Sequence, residues 1–205
     1  MKRLFDLPLA LVAALILAVP MLCIAIVVRL TSTGPALYWS KRVGRDNRIF
    51  LMAKFRTMRG NTPQVATHLL ADSKRWITPV GNFLRKSSLD ELPQLWSILR
   101  GDMSFVGPRP ALFNQDDLIA QRTTVGIHHL QPGLTGWAQI NGRDELEIPE
   151  KVVLDAYYLR HQSFVFDLRI LLLTFVKVLR RDGVKQADDS PSHRVIDNRI
   201  EREAA

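Results

Sequence analysis

The hydrophobic residues of the chain are concentrated at its amino end. No charged residue occurs between Asp6 and Arg29, so Leu7 to Val28 form an apolar run of 22 residues. As a straight helix this run would be about 33 Å long, close to the thickness of a bilayer core. The pattern predicts a membrane-associated helix within residues 1–30.

Pro20 lies inside this run and favours a hairpin that enters and leaves the membrane on the same side. Proline removes a helical hydrogen bond and clashes with the preceding turn, and neither remaining arm can cross a bilayer alone. Lys2 and Arg3 precede the run and Arg29 follows it, and positive flanks mark the cytoplasmic side. A re-entrant helix broken at Pro20 satisfies both flanks, although many spanning helices also carry a proline kink. A cleaved signal peptide is disfavoured because small residues are missing at the potential cut.

Beyond residue 30 the pattern predicts an α+β domain that is mainly helical. Two strand-like segments, 36–43 and 48–57, form a hairpin around turn residues 44–47. Apolar spacing and terminal residues predict five helices, at 79–86, 88–99, 114–124, 150–161 and 164–181. The last helix is strongly apolar, which suits either the core or a membrane interface.

The remaining segments are predicted to be loops. Two loops rich in Gly and Pro, 101–110 and 131–143, are long enough to suggest a functional role. Residues 62–72 have no clean period and are predicted to form a mobile loop. Residues 186–205 are polar and are predicted to be a disordered tail.

Composition narrows the class of protein. The 47% of hydrophobic residues is ordinary for a globular core, so a polytopic membrane protein is excluded. The net charge is +8, and seven Lys or Arg residues between Lys41 and Arg59 face a single acid, Asp46. Such a surface can meet anionic lipid, a diphosphate or nucleic acid, or it can simply be solvated. Cys23 is the only cysteine, so no intramolecular disulfide forms.

The adjacent carboxylates Asp90 and Glu91 are the most informative polar feature. They lie at the start of a predicted helix, where the helix dipole favours an ionised carboxylate that can attack phosphorus or bind magnesium. Capping is the simpler interpretation, because Ser88 and Glu91 have the spacing of a capping box. Pro93 fits better if Asp90 is the cap, since a proline in the first turn loses no hydrogen bond. Capping and catalysis do not exclude each other.

Basic residues on three other segments could complete a phosphate site. Lys54 and Arg56 end the second predicted strand, and Arg109 lies between two prolines on a stiff loop. Thr135 and Arg143 belong to the second loop, which contains three glycines. Arginine supplies paired donors for a phosphate, and glycine lets backbone amides approach one. The sequence has no Walker-type loop, no zinc-spaced Cys/His set and no Gly-x-Ser-x-Gly elbow.

Five motifs in fixed order resemble those of the bacterial sugar transferase family, the small monotopic phosphoglycosyl transferases. They run from residue 54 to residue 143, and the similarity extends from about residue 2 to residue 185. The motifs are Lys54-Phe55-Arg56-Thr57-Met58, Ser88-Leu89-Asp90-Glu91-Leu92-Pro93-Gln94, Gly101-Asp102-Met103-Ser104-Phe105-Val106-Gly107-Pro108-Arg109-Pro110, Pro132-Gly133-Leu134-Thr135-Gly136-Trp137 and Asn141-Gly142-Arg143.

The resemblance implies a reaction and a location. The reaction is transfer of a sugar-1-phosphate from a UDP-sugar to a polyprenol phosphate, such as undecaprenyl phosphate, with release of UMP. It would be the first membrane step of bacterial glycoconjugate assembly. The location is the cytoplasmic face of the inner membrane, with residues 1–30 as a re-entrant anchor and 31–185 as the catalytic domain. Neither nucleic acid nor a particular sugar is implied, and a homo-oligomer is compatible with the sequence.

The resemblance also assigns roles to residues. It makes Asp90 the nucleophile and a Mg²⁺ ligand, with Glu91 as its companion. Lys54, Arg109 and Arg143 would help neutralise the diphosphate. The family breaks its membrane helix at a Ser-Pro pair, whereas this chain has Val19-Pro20. The competing hypothesis is a non-catalytic, membrane-anchored basic module that binds anionic lipid or nucleic acid, which leaves the carboxylate pair and the Arg109 loop unexplained.

Overall fold

A computed structural model describes residues 2–60, 62, 73–142 and 146–180. Within these ranges the protein is mainly helical, with a long apolar helix at the amino end and a small two-stranded sheet, as predicted. Arg143, most of the predicted loop 62–72 and the predicted tail 186–205 lie outside the described residues.

The apolar run forms a single helix, α1 (Lys2–Thr31). The helix continues through Pro20, so the structure does not confirm the predicted two-armed hairpin. Among the described residues, α1 is the one helix long and apolar enough to cross a membrane. Its exposed face carries large aliphatic side chains such as Leu4, Leu15, Ile16 and Leu30.

One stripe of α1 packs against the rest of the protein along the whole length of the helix. Its amino-terminal half, through Ala10 and Leu17, joins a core cluster with α4 (Leu95–Arg100) and β3 (Ser104–Val106). Its carboxy-terminal half, through Met21 and Val28, joins a cluster with Phe55. These contacts recur every three to four residues, the period of one helix face.

The amino end of α1 is also held by polar contacts. Lys2 Nζ lies 3.1 Å from a carboxylate oxygen of Asp167 and donates to the Tyr158 hydroxyl and the Val106 carbonyl, both at 2.6 Å. The Tyr158 hydroxyl in turn donates to Asp167 at 2.6 Å. Both ends of the apolar helix are therefore fixed to the same globular body.

The predicted β-hairpin is confirmed, with slightly shorter strands. β1 (Leu37–Val43) pairs antiparallel with β2 (Ile49–Phe55) through a 3₁₀ turn at Arg45–Asn47. A short α2 (Ser73–Trp76) leads to α3 (Pro79–Lys86), which has the predicted bounds. Thr78 caps α3 by accepting a hydrogen bond from the Gly81 N–H at 2.9 Å.

The predicted helix 88–99 divides into two parts. A 3₁₀ helix covers Leu89–Gln94, and α4 begins only at Leu95. The prediction that Asp90 is the cap is wrong: Ser88, in a left-handed conformation, occupies that position without a side-chain capping bond. Pro93 supplies the physical reason, because it has no N–H to donate and regular α-helical bonding starts after it.

The two predicted loops contain a short parallel sheet that the sequence pattern did not indicate. β3 pairs with β4 (Gly133–Thr135), and the connection between them contains α5 (Asp116–Thr124). Close backbone packing requires glycine here, because a Cβ on Gly133 would lie 2.1 Å from the Gly107 nitrogen. The last three helices of the described residues are α6 (Trp137–Asn141), α7 (Ile148–His161) and α8 (Phe164–Arg180).

Candidate active site

Glu91 is the centre of a buried ion cluster. One of its carboxylate oxygens accepts hydrogen bonds from Lys54 Nζ and from the Arg109 guanidinium, each at 2.8 Å. The Glu91 side chain is 14% exposed. Three of the predicted site residues are thus brought together from β2, the 3₁₀ helix and the loop after β3.

This cluster shifts the pKa values of its members. Burial by itself disfavours the charge of Glu91, but Arg109 and Lys54 outweigh it and hold the pKa of Glu91 well below its usual range. Burial lowers the pKa of Lys54, and Glu91 opposes that shift. Glu91 is therefore committed to binding two cations and is a poor candidate for a nucleophile or proton carrier.

Asp90 differs from its neighbour. It is 8% exposed, and burial raises the pKa of its carboxyl group, with Lys54 opposing the shift and Glu91 adding to it. The expectation that a helix start would favour the charged form is offset here, because the Asp90 carboxyl group lies inside the 3₁₀ helix, where burial raises its pKa. Burial makes the ionised form of Asp90 less stable, while Lys54 and Arg109 act in the opposite direction. Carboxyl groups with shifted pKa values and nearby cations are common at reactive sites.

The Arg109 loop is held through its carbonyl oxygens. Proline has no N–H, so Pro108 and Pro110 cannot donate. Instead, each of four successive carbonyls accepts one hydrogen bond from a different residue. The Pro108 carbonyl accepts from the Gly133 N–H (2.9 Å), the Arg109 carbonyl from Arg122 Nη1 (2.8 Å), the Pro110 carbonyl from Arg42 Nη1 (3.1 Å) and the Ala111 carbonyl from the Val43 N–H (3.0 Å).

Two of the predicted substrate-binding residues have other contacts. Arg56 is buried at the end of α1, where its guanidinium donates to the carbonyl and the hydroxyl of Ser32, both at 2.8 Å. Thr135 is buried against α8, with its hydroxyl 2.7 Å from that of Thr174. The structure therefore does not place these two side chains in the Glu91 cluster, and Arg143 lies outside the described residues.

Sequence reasoning missed the residues that support the cluster. Arg122 and Asp155 form a buried ion pair, with Nη2 and the carboxylate oxygen 2.6 Å apart. Both α5 and α7 carry several other charged residues, such as Asp117 and Lys151, which suggests solvated faces, so neither Arg122 nor Asp155 stood out. An apolar neighbourhood around Arg122, with Leu118 and Ile127, was the available signal.

Among the carboxylates of this cluster, Asp90 is the one suited to bind a magnesium ion. No group of three or more His, Cys, Asp or Glu side chains converges in the part of the chain that the structure describes. Magnesium commonly uses only one or two protein carboxylates and takes its other ligands from water and substrate phosphates. Asp90 fits that pattern, whereas the Glu91 oxygen nearest the cations is already engaged.

The chain is similar to proteins of one known family. The family model described as "Bacterial sugar transferase" matches residues 1–181. The uncharacterized sugar transferase EpsL of Bacillus subtilis is 40% identical over 95% of this chain and 95% of its own length.

Two further relatives have names that state an activity. The undecaprenyl-phosphate galactose phosphotransferase of Salmonella typhimurium is 38% identical over 89% of this chain. The UDP-glucose:undecaprenyl-phosphate glucose-1-phosphate transferase of Escherichia coli is 40% identical over 86% of this chain. The chain spans only 41% and 40% of the length of these two proteins.

Proposed function

Because the chain belongs to the bacterial sugar transferase family, we propose that it is a phosphoglycosyl transferase acting on undecaprenyl phosphate. The donor is a UDP-sugar, and UMP is released. The observation that carries the proposal is the Glu91 cluster: a buried carboxylate orients Lys54 and Arg109 beside a second carboxylate, Asp90. Two cations next to a reactive carboxylate suit transfer of a phosphoryl group.

The proposed reaction has two steps at one phosphorus atom. A carboxylate oxygen of Asp90 attacks the sugar-bearing phosphorus of the donor, and the bond to the UMP oxygen breaks with its electron pair leaving on UMP. A phosphate oxygen of the polyprenol phosphate then attacks the same phosphorus and releases the Asp90 carboxylate. Covalent catalysis of this kind predicts ping-pong kinetics.

The chain's own residues supply positioning and charge. Lys54 and Arg109 can neutralise the diphosphate, and Glu91 keeps both cations directed to one place. Magnesium, when bound through Asp90 and substrate oxygens, would add positive charge against the leaving UMP. Arginine in a fixed loop offers a planar pair of donors, which lysine does not.

The outer surface supports membrane association. α8 buries Ile170 and Asp167 on one face and exposes large apolar side chains on the other. The exposed set is Phe164, Val165, Leu168, Leu172, Phe175 and Val178. The rings of Phe5 and Phe164 are 5.1 Å apart, so the exposed faces of α1 and α8 meet where the two helices begin. Exposed apolar surface of this extent favours contact with lipid.

We propose a re-entrant placement of α1, and the contacts at its two ends support it. Lys2 and Val28 both contact the globular body that carries the polar active site. A helix crossing the bilayer would separate these two ends by the apolar core, about 30 Å thick. We therefore place both ends of α1 on the cytoplasmic face, with α1 lying within one leaflet.

Cysteine labelling tests this topology. Leu4 and Leu30 are 80% and 81% exposed, at opposite ends of α1. In a Cys23→Ser background, we expect neither Leu4→Cys nor Leu30→Cys to react with a membrane-impermeant maleimide added to intact spheroplasts, and both to react once the membrane is dissolved in detergent. Labelling of either one from the periplasmic side would show a spanning helix and contradict the placement.

Nucleotide release tests the reaction. Membranes containing the protein are incubated with Mg²⁺, undecaprenyl phosphate and a panel of UDP-sugars, one at a time. We expect UMP and a sugar-diphosphate lipid to appear in equal amounts with at least one donor. A protein that binds anionic vesicles but releases no UMP with any donor would support the non-catalytic module instead.

A further inference from the structure

We propose that the buried ion pair Arg122–Asp155 is a positioning device for Arg109. It acts through the Arg109 main chain, and the inference rests on the proposed function only where turnover is the readout. Arg122 and Asp155 would be positioning residues, since they act on Arg109 through its carbonyl.

The contact geometry supports this role. Arg122 Nε and Nη2 both donate to the same Asp155 oxygen, at 3.0 and 2.6 Å. The remaining terminal nitrogen, Nη1, donates to the Arg109 carbonyl at 2.8 Å. The planar guanidinium therefore links α7 rigidly to the residue whose side chain contacts Glu91.

Burial makes the link stiff. Asp155 is 1% exposed and Arg122 is 9% exposed, and both lie beside an apolar cluster that includes Ile127 and Val152. An ion pair in such a place has little water to exchange with, so its geometry is maintained. A simpler role would be to hold α5 against α7, but that role needs no third bond to the Arg109 carbonyl.

The prolines explain why Arg109 needs this support. Neither neighbour of Arg109 can donate a backbone hydrogen bond, so the carbonyls are the available fixed points of the loop. The Arg109 carbonyl is bonded to a charged side chain, a stronger partner than a neutral donor. Loss of that bond would leave the Arg109 guanidinium free to move relative to Glu91, and errors of about 1 Å cost about 100-fold in rate.

A double-mutant cycle separates positioning from general stability. We expect Arg122→Lys to lower kcat/KM for UMP release by about 10- to 100-fold, because lysine offers a point charge rather than a planar fork. In an Arg109→Ala background the same change should lower kcat/KM by less than about twofold, since the residue it positions is gone. Equal losses in both backgrounds would overturn the proposal. Should Arg122→Lys fail to fold, Asp155→Asn replaces it in the cycle.

A matched control removes stability as an explanation. Val152 lies one turn before Asp155 on α7, in the same cluster, and has no polar contact with the Arg109 loop. Val152→Ala should lower the melting temperature while leaving kcat/KM unchanged. If it lowers kcat/KM as much as Arg122→Lys does, the ion pair is merely structural.

A second readout does not depend on turnover. The Nε–H resonance of Arg109, assigned by its loss in Arg109→Lys, should shift or broaden in Arg122→Lys and stay unchanged in Val152→Ala. An unchanged resonance in Arg122→Lys would overturn the positioning role even if the enzyme is active. If wild-type protein releases no UMP, or Arg109→Ala turns over too slowly to measure, this resonance alone decides.

Discussion

We expect Asp90→Asn to abolish sugar-phosphate transfer while raising the thermal stability of the protein. Activity should fall and stability should rise for the same reason, because the substitution removes the buried negative charge of Asp90. In the proposed reaction Asp90 forms the covalent bond to phosphorus, and an amide oxygen is a far weaker nucleophile than a carboxylate. Loss of a catalytic nucleophile costs at least about 10³-fold in kcat.

The stability effect follows from the direction of the pKa shift. Burial raises the pKa of Asp90 in the folded protein above its value in the unfolded chain. The ionised form therefore costs free energy on folding, and this cost is present above the folded-state pKa and disappears as the pH falls below the unfolded value. Asn carries no charge, so the variant should unfold at a higher temperature at neutral pH, and the gain should vanish in acid.

Asp117→Asn is a matched control for both measurements. Asp117 is exposed on α5, so the same chemical change there should leave kcat and the melting temperature almost unchanged. UMP release at pH 7 and differential scanning fluorimetry at pH 7 and at about pH 3, below the ordinary carboxyl pKa, are the measurements. Wild-type turnover in Asp90→Asn would refute the covalent route, and a lower melting temperature at pH 7 would refute the electrostatic cost.

Such a balance between activity and stability is characteristic of binding and catalytic sites. In this protein the two adjacent carboxylates affect stability in opposite directions. Glu91 is stabilised by its partners, whereas Asp90 is left in an unfavourable place. Adjacent residues in sequence thus have opposite energetic roles, and the difference lies in which of them Lys54 and Arg109 contact.

Helices and strands whose ends depend on residues close in sequence were predicted correctly. Thr78 and Pro79 mark the start of α3 as clearly in the sequence as in the structure, because the cap is formed by neighbours along the chain. The β-hairpin was predicted for the same reason, since turn residues adjoin both strands. The short parallel pair β3–β4 was not predicted, because its strands are three residues long and separated by α5.

The site was predicted only in part because its contacts are long-range. The structure brings together Lys54, Glu91 and Arg109, which residue type and loop chemistry had grouped. Arg56 and Thr135 were grouped with them on the same reasoning, yet Ser32 and Thr174 are their actual partners. Nothing local to either residue distinguishes a side chain directed to substrate from one directed to a neighbouring helix.

The second large effect is expected from Glu91→Gln, which keeps the shape of the side chain and removes its charge. Lys54 and Arg109 would then lose the carboxylate oxygen that both of them contact in a mostly buried site. Removing one partner of a buried ion pair costs about 3–5 kcal/mol, because the other charge is left uncompensated. We expect the free energy of unfolding at pH 7 to fall by that amount, and UMP release to fall with it as the two cations lose their common anchor.

The pH dependence identifies the cause. The folded-state pKa of Glu91 lies well below its usual value of 4.5, so its stabilisation is fully present above about pH 4.5 and is lost as the pH falls through the folded-state pKa. Denaturant unfolding should therefore show a gap between wild type and Glu91→Gln that is constant near neutrality and narrows in acid. A gap independent of pH down to acid unfolding would point to packing instead of charge.

The double variant Lys54→Met/Glu91→Gln supplies the control. If an unpaired buried cation is what destabilises Glu91→Gln, then replacing Lys54 by an apolar side chain of similar length removes part of the cost. We expect the double variant to be more stable than Glu91→Gln alone, although its UMP release should stay below that of the wild type. A double variant less stable than the single one would mean that Lys54 stabilises the fold through contacts other than Glu91.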